Sequence, residues 1–88
     1  MNIEEFFGLR VRVVLVLLRN GPMTQTALSR ELKVNARVLK RHLTWLVENG
    51  IVIKYGSTTT IYEPNTNHPI TKTIQQLIQL SNTRAPQR

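Results

Sequence analysis

Four polar residues in the middle of the sequence, three of them basic, have the spacing that is typical of one face of an α-helix. Side chains three or four positions apart lie on the same face of an α-helix, so a helix here presents all four together. Arginine donates hydrogen bonds in a planar fork that fits a phosphate or the edge of guanine, and lysine neutralises phosphate as a point charge. The pattern therefore indicates binding of a polyanion. The four residues are Arg37, Lys40, Arg41 and Thr44.

The charge of the whole chain favours the same chemistry. Twelve Lys and Arg stand against five acidic residues in 88, which gives a formal net charge of +7, and the sequence pI is about 10.9. An excess of this size attracts polyanions but carries no information about fold. The alternative is that the basic residues simply form a solvated helix face. Arg30 and Lys33 add to the same positive end and only Glu31 opposes them, which favours the binding interpretation.

Several other chemistries find no matching residues. The absence of cysteine excludes a disulfide framework, a thiolate metal site and a cysteine nucleophile. His42 and His68 are too widely separated for a metal-binding motif, and we expect structural roles for both. No nucleophile is paired with a base and no glycine-rich phosphate loop occurs. We therefore expect no enzyme, no metal and no cofactor.

The sequence also lacks the features of a membrane or secreted protein. Its longest apolar run, Val13 to Leu18, is far shorter than the roughly 20 residues that span a bilayer. Glu4 and Glu5 near the start do not fit a signal peptide. We therefore expect a cytoplasmic, nucleoid-associated protein.

Two short amphipathic helices are predicted around the basic group. Thr24 and Asn35 are suitable N-caps, and each follows an apolar residue that can pack against a leucine one turn into the helix. Asn49 and Gly50 form the pair expected at a left-handed C-cap. Two capped helices joined by so short a connection turn sharply, which is the helix-turn-helix arrangement. The predicted inward-facing residues are Ala27, Leu28, Leu32, Leu39, Leu43, Leu46 and Val47.

A β-hairpin is predicted after these helices. Residues 51–55 and 59–62 are rich in β-branched and aromatic side chains, and residues 56–58 between them favour a turn. Residues 63–67 form a predicted linker. The hairpin tip and the exposed N–H groups at the start of the helix-turn-helix could both hold a phosphate backbone, although capping alone also explains Thr24. The predicted backbone contacts are Thr24, Gln25, Thr26, Arg30 and Lys33, with Lys54, Ser57 and Thr58 at the hairpin tip.

Helices are predicted at both ends of the chain, over residues 3–19 and about 69–80. The first carries two apolar stripes where one is enough to cover a core, so either its own domain surrounds it or the second stripe meets another subunit. The last begins with Pro69, capped by Asn67 or His68, and docks on the first helix of its own or a partner chain. The predicted dimer-interface residues are Phe6, Leu9, Val13, Val16, Ile74, Leu77 and Ile78.

The order of these elements resembles a known family. The segments GPMTQTALSREL and RHLTWLVENGIV, with the hairpin IVIKYGSTTTIY, are similar to winged-helix DNA-binding domains of the ArsR-like and MarR-like regulators, especially small archaeal members. The resemblance covers about Phe6 to Leu80. It implies a mainly α winged helix: a three-helix core with a helix-turn-helix, a small β-hairpin and an extra C-terminal helix.

The resemblance also implies roles for particular residues. The four residues of the basic group would lie on the recognition helix, Lys54 to Thr60 would form the wing, and two copies would pair through their terminal helices. The cysteines and histidine clusters of metal-sensing relatives are missing, so metal sensing is not expected.

We therefore predict one winged-helix domain over residues 3–80, followed by a disordered basic tail over residues 81–88. Its predicted function is sequence-specific binding of double-stranded DNA by a homodimer that regulates transcription. The alternatives are a winged-helix protein-interaction module in a transcription or chromosome-maintenance assembly, and a non-specific chromosomal DNA-binding protein. Trp45 lies off the apolar stripe; packing within the protein is the favoured interpretation, and contact with a DNA backbone is the alternative.

Overall fold

The computed structural model describes residues 8–83 of the chain. Within this range, helices and a two-stranded antiparallel hairpin confirm the predicted winged helix and its mainly α fold class. The elements are α1 Leu9–Asn20, α2 Gln25–Leu32, α3 Ala36–Glu48, β1 Val52–Tyr55, β2 Ile61–Pro64 and α4 Pro69–Thr83.

Helix α1 starts later than the sequence predicted. It begins at Leu9 because Gly8 is extended, with φ −76° and ψ −179°, so one continuous helix over residues 3–19 is wrong at this position. Glycine is a poor helix former, and this one has no capping side chain. Residues 3–7 lie outside the described residues. The end of the helix is as predicted, because Gly21 has φ 84° and its N–H donates to the Leu17 carbonyl oxygen at 2.8 Å.

The centre of α1 is buried on every side. Residues 13–17 are each no more than 5% exposed, because α2, α3, β2 and α4 of the same chain pack around them. The prediction that Val13 and Val16 lie in a dimer interface is therefore wrong, and the prediction for Ile74 is wrong for the same reason. At these positions the second stripe belongs to the core of its own domain. The core residues are Val13, Val14, Leu15, Val16, Leu17, Leu28, Leu32, Leu39, Leu43, Leu46, Ile51, Val52, Tyr62 and Ile74.

The hairpin has a longer loop than predicted. Tyr55 pairs with Ile61, so the second strand starts there rather than at Thr59, and it takes in residues 63 and 64 of the predicted linker. Gly56 has φ 114°, and a Cβ at this position would collide with the Thr59 carbonyl oxygen. The loop therefore needs glycine at its start.

The connection between α1 and α2 adds a third backbone segment to the hairpin. Met23 and Tyr62 exchange backbone hydrogen bonds, with N to O distances of 2.9 and 2.8 Å. Strand β2 is thus paired on both sides at Tyr62, whose side chain is buried. This pairing fixes the hairpin against the helical core.

Helix α4 is joined to the domain at its start. The His68 Nδ1 atom accepts a hydrogen bond from the Ile70 N–H at 3.0 Å, so His68 is the cap among the two candidates. Just before it, the Asn65 side-chain amide donates to the Gly50 carbonyl oxygen at 2.7 Å. The helix then packs on α1 of the same chain.

The far end of α4 differs from the prediction. The helix continues beyond residue 80 to Thr83, so residues 81–83 are helical rather than part of a disordered tail. Residues 84–88 of that predicted tail lie outside the described residues.

Candidate nucleic-acid interface

Both helices of the helix-turn-helix begin at the predicted caps. The Thr24 hydroxyl accepts a hydrogen bond from the Ala27 N–H at 3.1 Å. The Asn35 side-chain oxygen accepts from the N–H groups of Arg37 at 2.7 Å and Val38 at 3.4 Å. These bonds satisfy backbone donors that have no partner within the first turn, so the start of each helix is determined locally.

Three features that the sequence did not indicate hold the turn between α2 and α3. Lys33 ends α2 in the left-handed conformation, with φ 57°. The Ser29 hydroxyl donates to the Val34 carbonyl oxygen at 2.9 Å. The Gln25 side-chain amide donates to the Ala36 carbonyl oxygen at 3.1 Å. Gln25, a predicted DNA-backbone contact, therefore also ties the start of α2 to the start of α3.

Helix α3 has one buried face and one exposed face. Leu39, Leu43 and Leu46 are each no more than 2% exposed. On the opposite side, all four residues of the predicted basic group are exposed and line one shallow depression together with Gln25 and Ala36. Over the described residues 8–83, no carboxylate lines this depression. The structure thus brings the whole group together, and its role in binding stays a prediction. We call these four residues the recognition face: Arg37, Lys40, Arg41 and Thr44.

The other predicted contacts lie on α2 and on the hairpin. On and next to α2, the basic side chains reach solvent, whereas Thr24 and Gln25 are half-buried. Both also make the hydrogen bonds described above. In the hairpin, a side-chain hydrogen bond to Glu63 raises the pKa of the Tyr55 hydroxyl, and desolvation adds to the effect. The exposed members of the predicted set are Thr26, Arg30, Lys33, Lys54, Ser57 and Thr58.

A further basic side chain lies beside α3 and was missed in the sequence. The guanidinium carbon of Arg10, in the first turn of α1, lies 4.1 Å from the centroid of the Trp45 ring, which is a cation–π contact. Its Nε–H donates to His42 Nδ1, with 3.1 Å between the nitrogens. Trp45 therefore packs against Arg10 and stays 37% exposed. No local pattern could have paired these residues, because they lie far apart in the sequence.

The surroundings of His42 favour the neutral form of its imidazole ring. Its pKa is lowered from the ordinary value of 6.5, first by partial burial and then by the charges of Arg10 and Arg41. Because Nδ1 accepts the hydrogen bond from Arg10, the ring proton of the neutral form is on Nε2. The predicted structural role of His42 thus takes the form of a link between α1 and α3.

An apolar cavity of about 260 Å³ lies between α1, α3 and α4. Trp45 and Ile70 line it and are 37% and 47% exposed, so the cavity reaches the surface. Of the described residues that line it, Arg10 is the one that is charged. The remaining lining residues are Val11, Val14, Leu46, Ile51 and Ile74.

Over residues 8–83, no cluster of His, Asp and Glu side chains could hold a metal ion. In the same range, no helix combines the length and the apolar character needed to cross a membrane.

A comparison with known families identifies this arrangement. The model for bacterial regulatory proteins of the arsR family matches residues 9–54, more than half of the chain. The protein belongs to the ArsR family. The match spans α1, the complete helix-turn-helix with its recognition face, and most of β1. Like the other members of this family, the protein is a DNA-binding transcriptional regulator.

A solved structure shares the fold of this ArsR-family protein. It is reduced HlyU from Vibrio cholerae N16961, which is similar with a TM-score of 0.72 and 24% sequence identity. The similarity covers 89% of this chain and 81% of that chain, so it extends well past residue 54. It therefore supports the winged-helix fold for nearly the whole chain. The comparison with curated protein sequences found no match.

Proposed function

We propose that this ArsR-family regulator binds a specific double-stranded DNA sequence as a homodimer. The observation that carries the proposal is the recognition face, in which three basic side chains and a threonine stand on the exposed side of the second helix of a helix-turn-helix. An α-helix fits the major groove of B-DNA, where its N-terminal residues reach base edges and phosphates. Such a regulator acts in the cytoplasm, at the nucleoid.

The proposed contacts divide into those that read bases and those that hold the backbone. Arg37 and Arg41 can each donate two hydrogen bonds to the O6 and N7 atoms of guanine, and Thr44 can contact a base edge. Lys40 suits a phosphate. The N–H groups at the start of α2 and the Lys54 ammonium group on the hairpin would hold the flanking backbone.

The homodimer is proposed through the terminal helices, at residues that the core leaves open. On α4, Leu80 is 65% exposed and Leu77 and Ile78 are half-buried. Leu9 at the start of α1 is also half-buried. Apolar side chains that remain exposed on a terminal helix gain stability when a second copy covers them. Phe6, which was predicted for the same interface, lies outside the described residues.

Two-fold pairing predicts the form of the operator. A dimer of this kind brings its two α3 helices into major grooves about 34 Å apart, one turn of DNA or a multiple of it. The bound sequence would therefore be an inverted repeat. Selection of bound duplexes from a random pool tests this prediction. The duplexes selected by a monomeric or non-specific DNA-binding protein would contain no inverted repeat.

The interface is tested by Leu77→Glu, with Gln76→Glu as the matched control on an exposed position of the same helix. In sedimentation equilibrium, the unaltered protein and the control should have twice the mass of the chain, and Leu77→Glu should have the mass of one chain. The variant should also lose affinity for an inverted repeat. A dimer that survives this substitution contradicts the assigned interface, and a monomeric unaltered protein contradicts the homodimer.

Specificity is tested by fluorescence anisotropy, with the selected duplex and a scrambled duplex measured across a salt series. A preference of about a thousandfold or more, with a steep salt dependence, is expected of a specific regulator. Equal affinity for both duplexes would instead indicate a non-specific chromosomal DNA-binding protein. Lys72→Ala on α4 provides a control for the loss of one exposed positive charge away from the recognition face.

The apolar cavity beside Trp45 favours a second candidate, a protein-interaction module. The exposed Trp45 and Ile70 line this cavity, and Ile53 and Tyr55 on β1 are 40% and 46% exposed. An apolar segment of a partner protein could cover these side chains. Absence of binding to any duplex at low salt would make this the leading function.

A further inference from the structure

Arg10 is held in one orientation although its side chain is exposed. The guanidinium carbon lies 4.1 Å from the centroid of the Trp45 ring, and His42 Nδ1 accepts the Nε–H at 3.1 Å. An exposed arginine normally samples many rotamers, and fixing it on binding costs conformational entropy. The two contacts with α3 already restrict the rotamers of Arg10 before any ligand binds.

Within the described part of the chain, these contacts leave most of the guanidinium donors of Arg10 available. A guanidinium carries five N–H donors, and the hydrogen bond to His42 uses the one on Nε. Over residues 8–80, no carboxylate is bonded to Arg10. The terminal nitrogens thus keep the forked geometry that binds a phosphate or a carboxylate.

The surroundings of Arg10 favour an anion and adjoin the recognition face. Arg10 shares a surface depression with Arg41 and Thr44 of that face, together with His42 and Trp45. Partial burial lowers the pKa of His42, and the positive charges of Arg10 and Arg41 lower it further. Among the residues that the structure describes, Glu48 is the one acidic residue that lines this depression.

We propose that Arg10 binds a DNA phosphate beside the segment read by α3, and that Trp45 and His42 are its positioning residues. Arg10 belongs to α1, outside the helix-turn-helix, so it extends the DNA-binding surface past the motif itself. This inference rests on the proposed DNA binding. The alternative explanation is that Arg10 only stabilises the packing of α1 on α3 and does not contact DNA.

Arg10→Gln tests the proposal, and Arg12→Gln removes the same charge from the same helix as a control. Arg12 lies on another side of α1 and does not line the depression. In the proposed homodimer the substitution removes two phosphate contacts, one from each subunit, so the slope of log affinity against log salt should become shallower by about 1.8. The affinity at 0.1 M salt should then fall by roughly 60-fold, equally for the selected and scrambled duplexes. Arg12→Gln should bind like the unaltered protein.

The positioning role is tested with Trp45→Phe and Trp45→Leu. Phenylalanine keeps an aromatic face for the cation and should retain most of the affinity, whereas leucine should lose several-fold while the salt slope stays unchanged. Arg10→Lys should restore the salt slope and only part of the affinity, because lysine keeps the charge and loses the planar fork.

The outcomes separate this inference from the proposed function. If the unaltered protein binds DNA and Arg10→Gln binds equally well with the same salt slope, Arg10 only stabilises the packing of α1 on α3. The inference is then overturned. A lower melting temperature for Arg10→Gln with normal DNA binding has the same meaning. If the unaltered protein binds no duplex, the proposed function itself fails.

Discussion

Helices α1 and α3 pack against each other and use their side chains in opposite ways. Residues 13–17 of α1 are buried in succession, whereas α3 buries only Leu39, Leu43 and Leu46 and leaves the recognition face open. A helix segment that is covered on all sides contributes to stability, and a helix with an open charged face can also bind a ligand. Substitutions in the two helices should therefore change different measurements.

The largest effect is expected at the covered centre of α1. Val13 is fully buried, so Val13→Glu would leave a charge without a partner in the core and should unfold the domain. The milder Leu17→Ala should lower the free energy of unfolding in urea by about 2 to 5 kcal/mol. A folded monomer of Val13→Glu, identified by circular dichroism and sedimentation, would instead indicate that Val13 lies in a subunit interface.

The matching substitution on α3 should change binding and leave stability alone. Arg41 is exposed, and Arg41→Ala should weaken binding to the selected duplex by about 1 to 3 kcal/mol for each half-site if it reads a base. The urea midpoint should stay within error of the unaltered protein. Preference at one base position should relax in a repeat of the duplex selection. Equal weakening on every duplex would make Arg41 a phosphate contact.

Removal of the N-cap of α3 should lower both stability and DNA affinity, each by less than the substitutions above. Asn35 accepts hydrogen bonds from two N–H groups in the first turn, so Asn35→Ala should lower the free energy of unfolding by about 1 kcal/mol. Because the cap fixes the start of the recognition helix, DNA affinity should fall slightly as well. Asn35→Asp keeps the acceptor and should be near neutral for stability. An equal loss in both variants would mean that the cap bond contributes little.

The smallest effect is expected where the two helices meet at His42. The folded protein binds the imidazole proton less readily than the unfolded chain, because partial burial, Arg10 and Arg41 lower the pKa of His42 below 6.5. This group should therefore leave stability unchanged well above pH 6.5 and reduce it as the pH falls through 6.5 toward the lowered pKa. Urea midpoints at about pH 7.5 and about pH 5 measure the difference. In His42→Gln this part of the pH dependence should disappear; an identical dependence would exclude His42 as its source.

Short-range patterns were sufficient to predict most of the helix-turn-helix. The Thr24 and Asn35 caps and the buried leucines of α3 involve residues within a few positions of one another, so sequence spacing identifies them. Boundaries were less accurate where local preferences compete. Gly8 interrupts a strongly apolar stretch, and the polar residues after position 80 continue a helix that already exists.

Contacts between distant residues could not be predicted in this way. The bond between Arg10 and His42 joins residues 32 positions apart, and the Met23 and Tyr62 pairing joins the α1–α2 connection to the hairpin. The sequence shows that such side chains exist, but the partner of each depends on how whole elements pack. The shift of β2 to Ile61–Pro64 has the same origin, because a strand forms where partners are available on both sides.

The sequence by itself determined the helix-turn-helix, the wing and the basic face of α3, because periodicity, caps and charge act over one or two turns of chain. Only the tertiary structure decided which apolar stripe of α1 meets its own domain, since that depends on the surfaces that α2, α3, β2 and α4 bring to it. It also decided that Arg10 stands beside the recognition face, because α1 reaches α3 only through packing of the complete core.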